Sequence, residues 1–173
     1  MKMTEMTNQR SSIVSLRPAR PEDEEFLCAL YGAAREEELS QVPWSAEQRD
    51  AFIRFQFAAQ QRHYQTEYPD AEHQIILVSG QPAGRLYVDR RANEIRIMDI
   101  TLLTRMRGQG VGSPLIEELM EEARQSRKRL TIYVESFNRS RGLFERLGFK
   151  VAEEDGFLLL FEWRPAEIMD TGD

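Results

Sequence analysis

The stretch Arg105–Pro114, RMRGQGVGSP, decides how this chain is interpreted. Three glycines occupy alternate positions within it: Gly108, Gly110 and Gly112. The run before it, IRIMDITLL (Ile95 to Leu103), has the composition of a β-strand. The run after it, LIEELMEEARQS (Leu115 to Ser126), repeats apolar residues at helical spacing. The glycines therefore stand where a strand passes into a helix.

The backbone at such a junction is suited to binding phosphate. A helix N-terminus exposes N–H groups without intrahelical partners and carries a partial positive charge. Glycines before it permit positive φ angles and let a ligand approach closely, and phosphate binds at such ends. Arg105 and Arg107 add positive charge, and Pro114 fits a first helical turn, where its missing N–H is not needed. The stretch predicts a phosphate-binding loop, against the alternative of a turn that binds nothing.

Two nucleotide-binding alternatives fit the same stretch less well. A Walker loop requires a lysine directly after its last glycine, and none follows Gly112. A dinucleotide fold would use an acid about twenty residues farther on, where Glu135 stands. However, the residues Thr104–Arg107 separate the strand from the first glycine, and the chain has a single β-α-β unit where a dinucleotide fold needs several.

Composition excludes several classes of protein. The chain has 173 residues and a net charge of −6, which argues against a nucleic-acid partner. Cys28 is the sole cysteine, and the two histidines, His63 and His73, lack ligand spacing, so no metal site is predicted. The sequence shows neither a secretory signal nor a membrane span, so a cytoplasmic setting without membrane association is expected.

The order of predicted elements indicates one α+β domain. A strand and two helices precede a meander of three strands, and the helix after the glycines leads to a fifth strand that should pair in parallel with the fourth. A short helix and a closing hairpin follow. We therefore expect a mixed, mostly antiparallel sheet flanked by about four helices. The predicted boundaries are a flexible tail at 1–12, a domain at 13–164 and a second tail at 165–173.

Two motifs in this order resemble the GNAT superfamily of acetyl-CoA-dependent N-acyltransferases. RGQGVG matches the signature R/Q-x-x-G-x-G/A, with Arg107, Gly110 and Gly112 at the signature positions. YVESFNRSRGLFERLGF is similar to the family's fifth strand and the helix after it, with Asn138 at the usual asparagine. The element order over residues 13–164 also agrees, so the single domain is identified as GNAT-like.

The resemblance implies that acetyl-CoA lies in a gap where the fourth and fifth strands splay apart. Backbone groups at the end of the fourth strand would pair with the pantetheine arm, and amides of the glycine loop would hold the pyrophosphate. The implied coenzyme contacts are Leu102, Leu103, Thr104, Arg107, Gly108, Gln109, Gly110, Val111, Gly112, Ser113, Asn138, Ser140 and Phe144.

The implied chemistry is direct attack by a neutral amine on the thioester carbonyl. The family often places a tyrosine where this chain has Phe144, so the departing thiolate leaves unprotonated or takes a proton from water or Tyr133. Asp99 is an acid in a largely apolar strand and suits a general base, against the alternative of an ion pair with Arg85 or Arg96. Regular strand alternation places Asp99 on the same face as Ile97.

The first two helices and their loop would contact the acyl acceptor, a small-molecule or peptide amine. The candidate substrate residues there are Glu37, Trp44, Phe55 and Tyr64. A homodimer, which is common in the family, stays open. The missing tyrosine also leaves a second hypothesis open, a non-catalytic module that binds or senses acyl-CoA.

Overall fold

The computed structural model of the chain describes residues 13–166. The predicted tail at 1–12 and most of the predicted tail at 165–173 lie outside the described residues. The described chain comprises two compact units. The first ends at Leu86 and also takes in Ile100–Gln109, and the second comprises Tyr87–Asp99 and the chain from Gly110 onward.

Seven strands and five α-helices make up residues 13–166. The strands are β1 (Val14–Pro18), β2 (Glu72–Val78), β3 (Gln81–Arg90), β4 (Glu94–Leu102), β5 (Arg129–Glu135), β6 (Lys150–Asp155) and β7 (Leu158–Trp163). The helices are α1 (Glu24–Ala33), α2 (Glu36–Leu39), α3 (Ala46–Glu67), α4 (Gly112–Ser126) and α5 (Arg141–Arg146). Two short 3₁₀ turns lie at Pro21–Asp23 and Thr104–Met106.

The strands form one mixed sheet in the order β1-β2-β3-β4-β5-β7-β6. β4 and β5 pair in parallel, as predicted, whereas β1 with β2, β5 with β7 and β6 with β7 are antiparallel. The predicted α+β class and mixed sheet are thus confirmed. The position of β7 between β5 and β6 was not predicted. None of the helices in the described chain has the length and apolar character that crossing a bilayer requires.

The core of the first unit forms where α1 and α3 pack together. Leu27 and Tyr31 of α1 and Phe57 of α3 are buried with Ile75 of β2, and the rings of Tyr31 and Phe57 lie 5.9 Å apart. The N-terminus of α3 carries the predicted capping box. The Ser45 hydroxyl accepts from the backbone N–H of Gln48 at 3.1 Å, while the Gln48 side chain accepts from the Ser45 N–H at 2.9 Å.

A buried carboxylate fixes the turn between β1 and α1. Both Nη atoms of Arg17 donate to Asp23, at 2.7 and 2.8 Å, and the backbone N–H of Arg20 donates to the same carboxylate at 2.8 Å. The hydrogen bond from Arg17 is the main cause that lowers the pKa of Asp23, although burial opposes it. The ionised carboxylate of Asp23 thus stabilises the turn that leads into α1.

We expect Asp23→Asn to lower the free energy of unfolding by about 2 kcal/mol at neutral pH, because charged hydrogen bonds are worth about 1.5–3 kcal/mol each. The folded pKa lies below the unfolded one, so this stabilisation is present above the ordinary pKa of an aspartate and is lost as the pH falls through the folded value. Urea unfolding at pH 7 and pH 3 measures the difference. Asp70→Asn, at an exposed turn, is the control; equal losses in both variants would contradict the prediction.

The core of the second unit lies between α4 and β5. α4 buries one face made of Leu115, Ile116, Leu119 and Ala123, and β5 contributes Leu130, Ile132 and Val134. Phe144 of α5 is 1% exposed, and its ring lies 5.2 Å from that of Phe149 and 6.3 Å from that of Phe161. Arg127 closes α4 in the left-handed conformation, with φ of 55°.

Candidate active site

The glycine loop has the backbone that its sequence predicted. Gly108 and Gly110 adopt φ angles of 70° and 75°, which residues with a Cβ rarely adopt. A Cβ built on either glycine would meet no atom within 4 Å. The Gln109 side chain donates to the carbonyl of Arg105 at 2.7 Å and ties the loop to the preceding turn. The loop therefore has a defined backbone conformation, and the space beside Gly108 and Gly110 is unoccupied.

The start of α4 has the properties of an anion site. Val111 precedes the helix, no side chain caps the helix start, and the first turn contains no acidic residue. The first backbone N–H groups of a helix have no intrahelical acceptor, so they remain available to a ligand. Ser113, in the first turn, is partly exposed and adds a hydroxyl. The start of α4 thus provides donors and no negative charge.

The pairing between β4 and β5 stops before either strand ends. The parallel register runs from Glu94 with Arg129 to Ile97 with Ile132. β4 nevertheless continues to Leu102, and β5 continues to Glu135. The strands therefore separate after Ile97, as expected for a splayed sheet.

An additional residue in the β4 chain accompanies this separation. Arg91 donates to the carbonyl of Glu94, and Leu103 donates to that of Ala83, both at 2.8 Å. Between these bonds the β4 side advances nine residues and the β3 side eight, which defines a β-bulge. The extra residue lies between these two hydrogen bonds, which involve Arg91 and Leu103 just outside the ends of β3 and β4. An inserted residue reverses the faces that follow it, so the predicted position of Asp99 on the same face as Ile97 stays a prediction.

A glycine in β3 accommodates the bulge. A Cβ on Gly84 would lie 2.3 Å from the carbonyl oxygen of Thr101 and 3.1 Å from the Cα of Leu102. Both are backbone atoms that cannot rotate away, so glycine is required at this position. Sequence reasoning missed this residue, although an isolated glycine within a strand is itself a signal for a bulge or a close backbone approach.

We expect Gly84→Ala to lower the free energy of unfolding by about 2 kcal/mol, since overpacking at a site that must shift costs about 1–3 kcal/mol. The end of β4 would move, so affinity for acetyl-CoA should fall about tenfold, equivalent to about 1.4 kcal/mol. Urea unfolding and calorimetric titration measure the two effects. Gly142→Ala is the control, because its methyl meets only the mobile end of Arg146, at 3.2 Å. Unchanged stability of Gly84→Ala would contradict the assigned role.

The paired part of the two strands is held by a buried carboxylate. Glu94 is 8% exposed and accepts hydrogen bonds from the Thr131 hydroxyl at 2.7 Å, from Arg91 at 3.0 Å and from Arg96 at 3.2 Å. Burial would raise the pKa of Glu94, but the hydrogen bond from Thr131 and the charges of Arg96 and Arg129 together hold it below its usual range. These contacts fasten β4 to β5 at the end opposite the separation.

The predicted pantetheine contacts are Leu102, at the end of β4, and the two residues after it, Leu103 and Thr104. Backbone groups of Leu103 and Thr104 already have hydrogen-bond partners within the chain. The N–H of Leu103 donates to Ala83, and its carbonyl accepts from Met106 at 2.8 Å. The Leu103 N–H is therefore committed to β3. The carbonyl of Thr104 accepts from Arg107 at 3.2 Å.

Both candidate catalytic residues lie just beyond the last paired residues. Tyr133 directly follows Ile132 on β5, and Asp99 is the second residue after Ile97 on β4. Tyr133 is 46% exposed, and the guanidinium carbon of Arg96 lies 4.7 Å from its ring centroid. Asp99 is half-buried. Both residues therefore lie close to the point where the parallel pairing ends.

The residues that follow β5 form a turn into α5. The Asn138 side-chain oxygen accepts from the N–H of Ser140 at 2.9 Å, and the Ser140 carbonyl accepts from the N–H of Phe144 at 3.2 Å. Asn138 thus shapes the helix start and retains its side-chain NH₂ group as a donor. The ring of Phe144 belongs to the core described above and carries no hydroxyl.

The four predicted substrate residues do not converge. Phe55 and Tyr64 are nine residues apart on α3, about two and a half turns, so they point to opposite sides of the helix. Phe55 is 65% exposed, whereas Tyr64 is half-buried and its ring lies 6.1 Å from that of His73. The ring of Trp44 packs against Phe52, and Glu37 is exposed on α2. The four residues that we predicted to contact the acyl acceptor are therefore not assembled as one surface.

The sequence matches the family model of the acetyltransferase (GNAT) domain over residues 37–158, which is more than half of the chain. No curated protein matches the sequence at a significant level. The family assignment thus depends on the domain model and on the fold.

Solved structures share the fold across most of their length. PaiA N-acetyltransferase from Thermoplasma acidophilum, solved with coenzyme A, has a TM-score of 0.67 and 18% identity, covering 88% of this chain and 99% of its own. RimL, the ribosomal L7/L12 alpha-N-protein acetyltransferase, has a TM-score of 0.64 and 17% identity, covering 90% and 92%. An acetyltransferase from Thermus thermophilus has a TM-score of 0.62 and 16% identity, covering 88% and 97%. At these identities the likeness concerns the fold.

Proposed function

Because this chain belongs to the GNAT acetyltransferase family, we propose that it transfers an acetyl group from acetyl-CoA to a primary amine of a small molecule or peptide. Acetyl-CoA is the co-substrate, and residues 13–164 form the catalytic domain. The observation that carries the proposal is the separation of β4 from β5 after Ile97, followed by an open glycine loop and an uncapped helix start.

The residues along this segment fit the coenzyme. The carbonyl of Leu102 and the backbone of Thr104 pair with the pantetheine arm, which leaves the N–H of Leu102 for the thioester. The N–H groups of the loop and the first turn of α4 hold the pyrophosphate, with the hydroxyl of Ser113. The residues assigned to the pyrophosphate are Arg107, Gly108, Gln109, Gly110, Val111, Gly112 and Ser113. Asn138 and Ser140 contact the pantetheine, while Leu103 and Phe144 support it from within the fold.

Acetyl-CoA supplies an activated thioester, and the chain supplies position and charge. Asp99 accepts the proton that the amine gives up on attack, and the N–H of Leu102 stabilises negative charge on the carbonyl oxygen. The new C–N bond forms as the C–S bond breaks. The thiolate leaves as such or takes a proton from Tyr133 or water, because Phe144 has none to give.

One observation favours a second function. Phe144, at the position where the family often has a tyrosine, is buried and has no hydroxyl proton to donate. This absence would suit a module that binds acyl-CoA without turnover. The two functions differ in one measurable property, the release of free coenzyme in the presence of an amine.

A coenzyme-release assay tests the proposal. Purified protein, acetyl-CoA and a thiol reagent are mixed with a panel of polyamines, amino acids and peptides with free N-termini, the last suggested by the RimL-like fold. We expect saturable release with at least one primary amine and none with the same amine after acetylation. Tight acetyl-CoA binding without release across the panel would favour the binding module. Absence of acetyl-CoA binding would overturn both functions.

A further inference from the structure

The first unit contains a cavity of about 380 Å³ between α1, α2 and α3. Its size falls within the range of about 300–1,000 Å³ that small-molecule sites occupy. The apolar part of its lining consists of Ala29, Gly32, Ala33, Leu39 and Ile53. None of the residues assigned to acetyl transfer lines it. The proposed function therefore leaves this cavity without a role.

Most of the charge at the mouth of the cavity is internally paired. Arg54 donates to both carboxylate oxygens of Glu25, at 3.1 and 3.2 Å, and its Nε donates to Asp50 at 3.0 Å. One cation thus occupies two of the three acids that line the cavity. The third acid, Glu36, is exposed on α2. A cationic ligand would have to compete with Arg54 for Glu25 and Asp50.

Arg49 is the exception among these charges. Its Nε is buried and has no hydrogen-bond partner within residues 13–166. Within those residues the guanidinium makes one hydrogen bond, a long one from Nη2 to the carbonyl of Val42 at 3.5 Å. A guanidinium offers five N–H donors in a planar fork that matches a carboxylate. A half-buried guanidinium with this much unused donor capacity indicates a missing acceptor.

We propose that this cavity binds a small carboxylate with a short, branched aliphatic chain. Arg49 pairs with the carboxylate, and the aliphatic part of the ligand contacts the apolar lining, which includes Ala29 and Ile53. Arg49 follows the N-terminus of α3 by one turn, so the partial positive charge of that helix end adds to the attraction. An amine gains less at this site, because Glu25 and Asp50 are already paired with Arg54.

The experiment compares three probes with the same carbon skeleton, 3-methylbutanoate, 3-methylbutylamine and 3-methylbutanol, by calorimetric titration without acetyl-CoA. We expect saturable binding of the carboxylate, at least tenfold weaker binding of the alcohol and none of the amine. Arg49→Gln should weaken carboxylate binding at least tenfold. Arg62→Gln, on the exposed side of α3 and outside the cavity, should leave it unchanged.

A second variant and a local reporter keep the result interpretable if Arg49→Gln unfolds. Ala29→Leu fills the cavity from an exposed position and should abolish binding. Cys28 lines the cavity and is the chain's sole cysteine, so its modification by a small methanethiosulfonate reports occupancy directly. Burial raises the pKa of this thiol, so the reaction is followed at alkaline pH. Bound carboxylate should slow it at least threefold in the unaltered protein and not in Ala29→Leu.

Three results would each overturn the proposal. They are no saturable binding of 3-methylbutanoate, equal affinity in a folded Arg49→Gln variant, and tighter binding of the amine than of the carboxylate. Because acetyl-CoA is absent from these titrations, a negative result leaves the proposed acetyl transfer unaffected.

Discussion

Replacing Gly110 with alanine should lower the affinity for acetyl-CoA about 100-fold. Gly110 holds a φ of 75° in open space beside the start of α4. A methyl there would occupy the space that the pyrophosphate needs and would turn nearby N–H groups away from it. Losing one or two hydrogen bonds to a charged group, each worth about 1.5–3 kcal/mol, accounts for this factor. Calorimetric titration with acetyl-CoA measures it.

Gly80→Ala provides a matched control for this variant. Gly80 lies in the turn between β2 and β3, has a φ of 78°, and its added Cβ would also meet no atom within 4 Å. Both substitutions should therefore cost the same backbone strain, about 1–2 kcal/mol, in urea unfolding. We expect the loss of coenzyme affinity only in Gly110→Ala. Equal affinities in the two variants would remove the glycine loop from the coenzyme site.

Asp99→Asn should lower kcat about 100-fold while leaving the affinity for acetyl-CoA unchanged. An amide cannot accept the amine's proton, and a positioned general base contributes at least about 100-fold. The loss should shrink as the pH rises, because the amine substrate then deprotonates in solution. Steady-state kinetics from pH 7 to pH 10 measure both effects. A pH-independent loss would indicate that Asp99 supports the strand and does not act as the base.

Tyr133→Phe is the companion measurement for the second candidate. If the phenol supplies a proton to the departing thiolate, kcat should fall about tenfold, less than for the base, because a thiolate with a pKa of about 8.5 is a tolerable leaving group. Phenylalanine keeps the ring over which Arg96 lies, so the packing is preserved. An unchanged kcat would assign that proton to water.

Local sequence signals were sufficient for much of the fold. Ser45 and Gln48 predicted the start of α3, and both hydrogen bonds of the capping box are present. The helix between β4 and β5 predicted a parallel pair, which the register confirms. Gly108 and Gly110 predicted positive φ angles, which both adopt. Each of these features depends on residues that are near one another in the chain.

Features that depend on distant residues were missed. The bulge has no sequence signature within β4. The residue that indicates it is Gly84 on β3, and we did not predict a role for that glycine. The face of β4 on which Asp99 lies depends on this bulge and therefore stays a prediction. The position of β7 next to β5 depends on which edge the final hairpin joins. Candidate substrate residues were chosen by type, and the helical geometry of α3 then separated Phe55 from Tyr64.

The early end of the β4–β5 ladder also links the abundance of folded protein to its metabolic surroundings. Beyond Ile97, β4 and β5 no longer pair with each other, and the coenzyme is proposed to lie there. A coenzyme bound beside this end of the ladder interacts with the folded chain and not with the unfolded one. By mass action, it adds about 2.7 kcal/mol to the free energy of unfolding at 100 times its dissociation constant. A cell short of acetyl-CoA would therefore hold less of this protein, through faster proteolysis of the unliganded chain.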